Sequence, residues 1–391
     1  MRKASPPNPS PCSLKSLGGP VMKHTKGVVI VSVLALLSAL ALAGDVSSEA
    51  RALHDEAFVA DLHADTHFMI TYFGYNFEAR HHTMDWGPAG VGAPFSDIDL
   101  PRLKEGGVDL FTFAICPVPK DNKYPGAAAF VRRSLNTLDR LLIKFPDQLG
   151  LARSPAEARE IAASGRVAVL AAVEGGSAIE ESLDVLHEFF DRGARYLTLT
   201  HAKTLTWAES GSDGGSPDIN GLTDFGREVV REMERMGMMI DLAHVSPETF
   251  WAVLNTVKCP VIVTHAAAAG IAPHHRNLSD DQIRAIAERG GVIGVIYAVN
   301  YLDPSGTKPK DVGLVADHID YIRKVGGIDV IALGSDWDGG IEAPAKLGDA
   351  SRLPNLTAEL LRRGYTHEEI KKILGENFLR AWTAIEAAAI P

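Results

Sequence analysis

The sequence is poor in cysteine, which excludes several classes of fold and of metal site. Its 391 residues include only Cys12, Cys116 and Cys259, and no Cys-x-x-Cys pair occurs. A scaffold held together by disulfides and a zinc site built from cysteines are therefore both excluded. We expect Cys116 and Cys259 to be buried free thiols, and a disulfide between them is the less favoured alternative.

Basic charge is also scarce, except at the N-terminus. Residues 1–43 contain five basic residues and no acidic one, which leaves 34 Lys and Arg against 49 Asp and Glu in the rest of the chain. A body with this excess of negative charge is unsuited to bind the phosphates of a nucleic acid. We therefore expect no nucleic-acid partner.

The N-terminus carries the one long apolar run, residues 27–43, which ends in Ala-Leu-Ala at 41–43. Small residues in this pattern mark a secretory cleavage site, so we predict a signal peptide within residues 1–43 and an exported, periplasmic or extracellular protein. The residues before Met22 are rich in Pro and Ser, so Met22 is an alternative start. If the run is not cleaved, it would tether the protein to a membrane. The C-terminus lacks the hydrophobic tail of a lipid-anchor signal.

The rest of the chain, residues 44–391, alternates short β-rich apolar runs with stretches of helical periodicity. Eight such runs predict a single α/β domain with a closed (β/α)8 barrel. An open, doubly wound sheet is disfavoured, because the turn at residues 61–65 contains no glycine that could approach a phosphate. The predicted strands lie at residues 57–63, 108–115, 166–173, 194–200, 237–243, 260–265, 291–297 and 329–335.

Carboxylate or imidazole side chains follow six of these eight strands. Because active sites in such barrels form at the C-terminal ends of the strands, we expect these side chains to converge there. A charged group at the end of an apolar run is costly unless it is paired or bound to a metal. The residues are His63 and Asp65 after the first strand, Glu174 after the third, His201, His244 and His265 after the next three, and Asp336 after the last.

The residue types indicate a centre for two divalent metal ions. His63 and Asp65 are two positions apart on an extended segment, so both point to the same side and can bind one ion. Glu174 has two carboxylate oxygens and can bridge this ion to a second one, which His244 and His265 complete. Imidazole and carboxylate ligands suit zinc. Two zinc ions bridged in this way would hold a hydroxide that can attack a carbonyl group.

Each of these residues also has a structural alternative. A single core histidine such as His201 is most often hydrogen-bonded within the core. Glu174 precedes two glycines and could accept hydrogen bonds in a turn, and Asp336 could cap a helix or form an Asx-turn. The alternatives require six coincidences at one end of the barrel, so the metal site is favoured. The histidines expected at the surface are His54, His67, His187, His318 and His367.

At these residues the sequence resembles the membrane (renal) dipeptidase family of zinc peptidases. The resemblance runs from about Phe58 to Leu379 and keeps the family motifs in order. It implies a zinc-dependent dipeptidase that uses a metal-bridging hydroxide and accepts dipeptides, including those with a D-residue in the second position. The motifs are DLHADT (61–66), AVEGG (172–176), LTLTH (197–201), IDLAHVS (240–246), VTH (263–265), HRNLSD (275–280) and GSDWDG (334–339).

The resemblance implies a role for each site residue. The five predicted metal ligands match those of the family. His201 matches the histidine that contacts the substrate and stabilises the oxyanion, and Arg276 matches the arginine that binds the substrate carboxylate. Asp336 matches the acid/base that moves the proton to the leaving amine. Tyr297 lies near a family tyrosine that borders the substrate, in an uncertain register.

Two other functions are weighed against this one. Other barrel metal-dependent amidohydrolases and lactonases often bridge their metals with a carboxylated lysine at the end of the fourth strand, where this chain has His201, with Lys203 already beyond it. A non-catalytic binding protein on the same barrel should lack a metal ligand or Asp336, yet all of these residues are present.

Residues 266–269 are alanines where the family usually has serines, which affects the expected substrate preference. The sequence is compatible with a homodimer and does not specify the oligomeric state.

Overall fold

The computed structural model describes residues 46–81, 96–117, 126–216 and 218–389. The predicted signal segment at 1–43 lies outside these ranges. From Val46 onward the chain forms one compact unit. Within the described ranges, no helix is both long and apolar enough to cross a membrane.

In the described residues, nine parallel strands form the sheet, and eight of them close into a barrel. Strand β2 pairs with β1 on one side and with β4 on the other, which joins the two ends of the series β1-β9-β8-β7-β6-β5-β4. The short β3 pairs only with the start of β4. The strands are β1 (Ala60–Asp61), β2 (Leu110–Ile115), β3 (Leu149–Leu151), β4 (Val167–Glu174), β5 (Ala194–Thr198), β6 (Met239–Asp241), β7 (Ile262–Ala266), β8 (Val292–Val295) and β9 (Ile331–Leu333).

The predicted (β/α)8 barrel is confirmed, because each predicted run overlaps one of the eight barrel strands, with bounds that differ by a few residues at most. These strands are buried on both faces, which is why their sequences read as nearly continuous apolar runs. β3 was not predicted, since three residues with a central glycine carry no detectable strand pattern.

The barrel interior is a hydrophobic cluster to which every one of the eight strands contributes. Side chains from eight different strands of a closed barrel can meet only inside it. Phe378 and Trp382 of the C-terminal helix belong to the same cluster. The strand members include Ala60, Leu110, Leu170, Tyr196, Met239, Ile262, Val292 and Ala332, all buried.

Helices follow the strands, and many of them begin at side-chain caps. The hydroxyl of Ser246 accepts from Thr249 N, and Ser279 forms a capping box with Gln282. In the described ranges the helices are α1 (Ser48–Glu56), α2 (Thr66–Phe73), α3 (Leu100–Glu105), α4 (Ala127–Lys144), α5 (Pro155–Ala163), α6 (Leu183–Asp191), α7 (Asp224–Met236), α8 (Pro247–Thr256), α9 (Asp280–Glu288), α10 (Val299–Leu302), α11 (Val312–Gly326), α12 (Pro354–Arg362), α13 (His367–Lys371) and α14 (Asn377–Ala387).

Three of the histidines expected at the surface are buried instead, namely His54, His67 and His318. Each is held by hydrogen bonds through both ring nitrogens, as in His318, which bonds Ala268 N at 3.0 Å and Leu302 O at 3.0 Å. Burial lowers the pKa of His318 to about 4, so it stays neutral in the core. The two thiols Cys116 and Cys259 are buried and unbridged.

Candidate metal centre

The five predicted metal ligands meet at the C-terminal end of the barrel in two groups that share Glu174. The ligand atoms of His63, Asp65 and Glu174 lie within 4.8 Å of one another, and so do those of Glu174, His244 and His265. Oε1 of Glu174 lies 2.9 Å from His244 Nε2 and 3.5 Å from both His63 Nε2 and His265 Nε2. The geometry therefore brings together the sets that the sequence predicted for two ions.

Local backbone conformation aims several of these side chains at the centre. His244, Asp336 and Asp338 have φ angles of 67°, 64° and 67°, which non-glycine residues rarely adopt. Each such residue costs about 1–3 kcal/mol and is typical of functional sites. Asp65 occupies the N-cap position of α2 without making a side-chain capping bond. Its carboxylate is consequently available to the centre, 3.8 Å from His63 Nε2.

The hydrogen bonds and charges of the centre fit a bound cation. His63 Nε2 is fully buried without a hydrogen-bond partner, and the Nε2 atoms of His244 and His265 lie 2.8 Å apart, as expected of two lone pairs directed at one ion. Burial acts to lower the pKa of His63, but nearby carboxylates, Glu174 first among them, raise it to about 10. The electrostatic potential at the centre is thus strongly negative. Its imidazole and carboxylate donors suit a divalent ion.

His201 lies beside the second group of ligands. Its ring centroid is 4.5 Å from that of His244, and its ring lies near Glu174. It is only half-buried and faces the cavity, so it can reach a substrate. Gly175 next to Glu174 has a φ of 113°, a conformation that favours glycine, and a Cβ at that position would make an ordinary contact with His201 Cβ at 3.6 Å.

Asp336 lies on the other side of the centre, with Oδ1 4.0 Å from His63 Nε2. Burial raises the pKa of this carboxyl to about 7, close to the range where a group can both accept and donate a proton. The turn that carries it is fixed by Asp338, whose carboxylate accepts from the hydroxyls of Thr66 and Ser96 at 2.7 Å each. Asp336 is therefore held over the centre by buried bonds made two residues further along the chain.

Arg276 enters the same cavity from the loop after β7. It is almost fully buried, yet its Nε and Nη2 atoms have no hydrogen-bond partner. A buried guanidinium with unsatisfied donors is costly unless an anion binds to it. The Arg276 guanidinium is therefore placed to bind an anion close to the predicted metal ligands.

The sequence did not assign a tyrosine to this region, because the register around Tyr297 was uncertain. Tyr297 is buried, with its ring 5.4 Å from that of Trp337, and it does not line the cavity. Tyr301, four residues later, lines the cavity, and its ring lies 5.6 Å from the Arg276 guanidinium carbon. Tyr301 lies in the short α10 rather than at a strand end, so the strand-end rule that found the other residues gave no signal for it.

The cavity above the centre has a volume of about 630 Å³, and both charged and apolar side chains line it. The charged groups include Asp65, Glu174, Arg276 and Asp336. The apolar or aromatic residues, from α2 and the loop after β9, include Phe68, Met69, Phe73 and Ile341. The cavity can thus bind a small ligand that is charged at one part and apolar at another.

Gly339 packs directly against the two carboxylates, which gives a test of their placement. A Cβ on Gly339 would lie 2.6 Å from Asp336 Oδ1 and 2.8 Å from Asp65 Oδ2. We expect Gly339→Ala to displace both groups and to lower kcat by about 10²-fold, the usual effect of an ångström-scale misplacement. Gly340→Ala is the control, because its Cβ would meet no atom within 4 Å and only its φ of 77° is unfavourable. It should lower the Tm but leave kcat and metal content nearly unchanged. Wild-type kcat in Gly339→Ala would contradict the placement.

A parallel barrel with histidines and carboxylates clustered at the C-terminal ends of its strands is typical of metal-dependent hydrolases. The model of the family described as Membrane dipeptidase (Peptidase family M19) matches residues 47–390. The chain belongs to this family, and it is a metallo-dipeptidase, a hydrolase that acts on dipeptides.

Solved structures agree with this assignment. A metallo peptidase from Rhodobacter sphaeroides, liganded with a phosphinate mimic of the dipeptide L-Ala-D-Ala, is 28% identical, with a TM-score of 0.72, and the match covers 84% of this chain and 99% of that one. The dipeptidase AC, a metallo peptidase, is also 28% identical, with a TM-score of 0.72 and coverage of 84% and 98%. The probable dipeptidase PvdM from Pseudomonas aeruginosa is 23% identical and has the same fold, with a TM-score of 0.74 and coverage of 87% and 98%.

Proposed function

We propose that this metallo-dipeptidase binds two zinc ions, one on His63 and Asp65 and the other on His244 and His265, with Glu174 between them. The observation that carries the proposal is the position of Glu174, which belongs to both groups of ligand atoms. All of the ligands are imidazoles or carboxylates, which zinc accepts readily. When bound, the two ions supply an activated water and polarise the carbonyl of the substrate.

The residues around the ions divide the remaining work. Asp336 accepts the proton of the attacking water and delivers it to the leaving amine, which requires a group on the same side as both. His201, exposed to the cavity beside His244, donates a hydrogen bond to the oxygen that becomes negatively charged. Asp336 and His201 both line the cavity, so each can reach a bound substrate.

Arg276 binds the terminal carboxylate of the substrate. Its two unpaired donors form a planar fork that matches the two oxygens of a carboxylate. A dipeptide held there has its single peptide bond near the proposed metal ligands, in a cavity that also offers apolar side chains such as Phe68 and Ile341. A longer peptide would place its carboxylate elsewhere, which supports an enzyme for dipeptides.

The test compares free and amidated dipeptides on the wild type and on Arg276→Lys. The wild type should cleave a free dipeptide well and its C-terminal amide poorly. Arg276→Lys should raise KM for the free dipeptide roughly 10- to 100-fold, because a lysine offers one point charge instead of two directed bonds. The same change should hardly affect the amide. Equal cleavage of free and amidated dipeptides by the wild type would contradict the proposed carboxylate site.

We also propose that L-D dipeptides are substrates. Support comes from the Rhodobacter sphaeroides relative, which was solved with a mimic of L-Ala-D-Ala. Parallel kinetics on L-Ala-L-Ala and L-Ala-D-Ala will decide the point. Cleavage of the L-L peptide alone would restrict the proposal to ordinary dipeptides.

A different barrel hydrolase with a carboxylated lysine is less well supported. Lys203 is exposed to solvent and does not line the cavity, whereas Glu174 belongs to both groups of proposed ligands.

For the N-terminus we propose export, with residues 1–43 removed and residues 44–391 as the single mature domain. The Ala-Leu-Ala sequence at 41–43 supports it.

A further inference from the structure

A buried carboxylate that has no role in the proposed reaction lies behind the metal ligands. Asp241 is the last residue of β6 and is completely buried inside the barrel. Its Oδ1 accepts from Thr264 N at 2.9 Å and from Ala243 N at 3.1 Å. Its Oδ2 accepts from the hydroxyls of Thr198 at 2.6 Å and Thr264 at 2.8 Å. Four donors and no acceptor around one carboxyl group are the environment of an ionised carboxylate.

The hydroxyl of Thr264 connects this carboxylate to a metal ligand. It has a single proton, which it donates to Asp241, so it can only accept in its second contact, with His265 Nδ1 at 2.9 Å. The proton of the neutral His265 ring is therefore on Nδ1. Its Nε2 keeps a free lone pair, and this is the atom that lies 2.8 Å from His244 Nε2 and 3.5 Å from Glu174 Oε1.

The other two histidine ligands are held differently. Tyr196 donates its hydroxyl proton to Leu62 O at 3.2 Å and therefore accepts from His63 Nδ1 at 2.9 Å. His244 Nδ1 has no hydrogen-bond partner. Of the two histidines assigned to the second ion, only His265 has its proton position fixed by a neighbouring group. A single connected series of bonds thus sets the state of this ligand.

We propose that Asp241 is a positioning residue that acts through Thr264 to keep His265 in the form that binds the second ion; this rests on the proposed function, in which His265 is a zinc ligand. Asp241 is not one of the residues that line the cavity. It acts by holding the Thr264 hydroxyl as an acceptor. Contacts of this kind behind a ligand typically contribute 10- to 100-fold to metal affinity, about the range we expect here.

Replacement of Asp241 by asparagine should reverse the direction of these bonds. The two backbone N–H groups keep the amide oxygen at the position of Oδ1, which places the amide NH2 against the hydroxyls of Thr198 and Thr264. Both hydroxyls then accept from the amide, and the proton of Thr264 turns to His265 Nδ1. His265 is thereby driven to carry its proton on Nε2, the atom that should bind the ion. The shape of the site is conserved while the ligand is blocked.

The experiment measures the affinity of each metal equivalent by competition with a zinc chelator at neutral pH, with cobalt absorption spectra as a second readout. Asp241→Asn and Thr264→Val should each weaken the second equivalent about 10- to 100-fold and leave the first nearly unchanged. Thr264→Ser keeps the hydroxyl and should retain wild-type affinity for both equivalents. Thr198→Val removes the other hydroxyl on the same oxygen and should have only a few-fold effect.

The double variant separates this role from a merely structural one. If Asp241 acts through Thr264, then adding Asp241→Asn to Thr264→Val should cause little further loss of affinity. Wild-type affinity in both single variants, equal losses in Thr198→Val and Thr264→Val, or additive losses in the double variant would each overturn the proposal. If Asp241→Asn does not fold, the Thr264→Val and Thr264→Ser pair decides alone. A wild type that binds fewer than two ions would instead contradict the proposed function.

Discussion

Asp336→Asn should lower kcat by about 10²–10⁴-fold, the range for loss of a proton-transfer group, while KM and metal content stay close to those of the wild type. Asparagine has the same shape but cannot take up the proton of the attacking water. It also tolerates the left-handed backbone at this position, where φ is 64°, so the variant should fold normally. The measurements are steady-state kinetics on a dipeptide and metal analysis of the same preparation.

The conservative nature of this change matters for its interpretation. Asp336→Ala would also remove the carboxylate, but an alanine at a positive φ adds about 1 kcal/mol of strain and would mix stability with chemistry. If Asp336→Asn retained activity within a few-fold of the wild type, another group would have to move the proton. If it lost metal along with activity, Asp336 would be a ligand rather than an acid/base.

The second large effect concerns the metal ions. His265→Ala and His244→Gly should each bind one equivalent of zinc instead of two and lose about 10²–10³-fold in kcat, since a metal ion contributes several kcal/mol to the transition state. Glycine is chosen at position 244 because it adopts the φ of 67° without strain. Both variants should keep the circular dichroism spectrum of a folded barrel.

A matched control is His187→Ala. His187 is partly exposed, pairs with Glu232 at 2.5 Å on the outer helices, and belongs to none of the ligand groups. It should keep both equivalents of zinc and full activity. Two equivalents of zinc in His265→Ala or His244→Gly would disprove the assigned second site.

Most of the centre was predictable because parallel strands end at a common edge. The barrel places His63, Glu174 and His265 at the ends of β1, β4 and β7, so a polar residue at the end of an apolar run already indicates its position. This rule requires only strand periodicity and chain order. It is for this reason that the barrel and the ligand groups were predicted together.

Positions that depend on loops and helices were not predictable in the same way. Tyr301 reaches the cavity from α10, and no periodicity specifies which of two tyrosines in that segment will face it. The burial of His54 depends on Thr357 Oγ1, 303 residues away, which bonds its Nδ1 at 2.8 Å. Such partners are chosen by tertiary packing, and a local pattern contains no information about them.

The left-handed backbone at His244 and Asp336 has a consequence for how this enzyme can be improved. A search for stability would favour glycine at these two positions, because glycine relieves backbone strain of about 1–3 kcal/mol at each. The exchanges would delete a proposed metal ligand and the proposed acid/base. Thermal stability and turnover are thus opposed at the same two residues, so a library selected only for heat resistance would accumulate well-folded, inactive barrels.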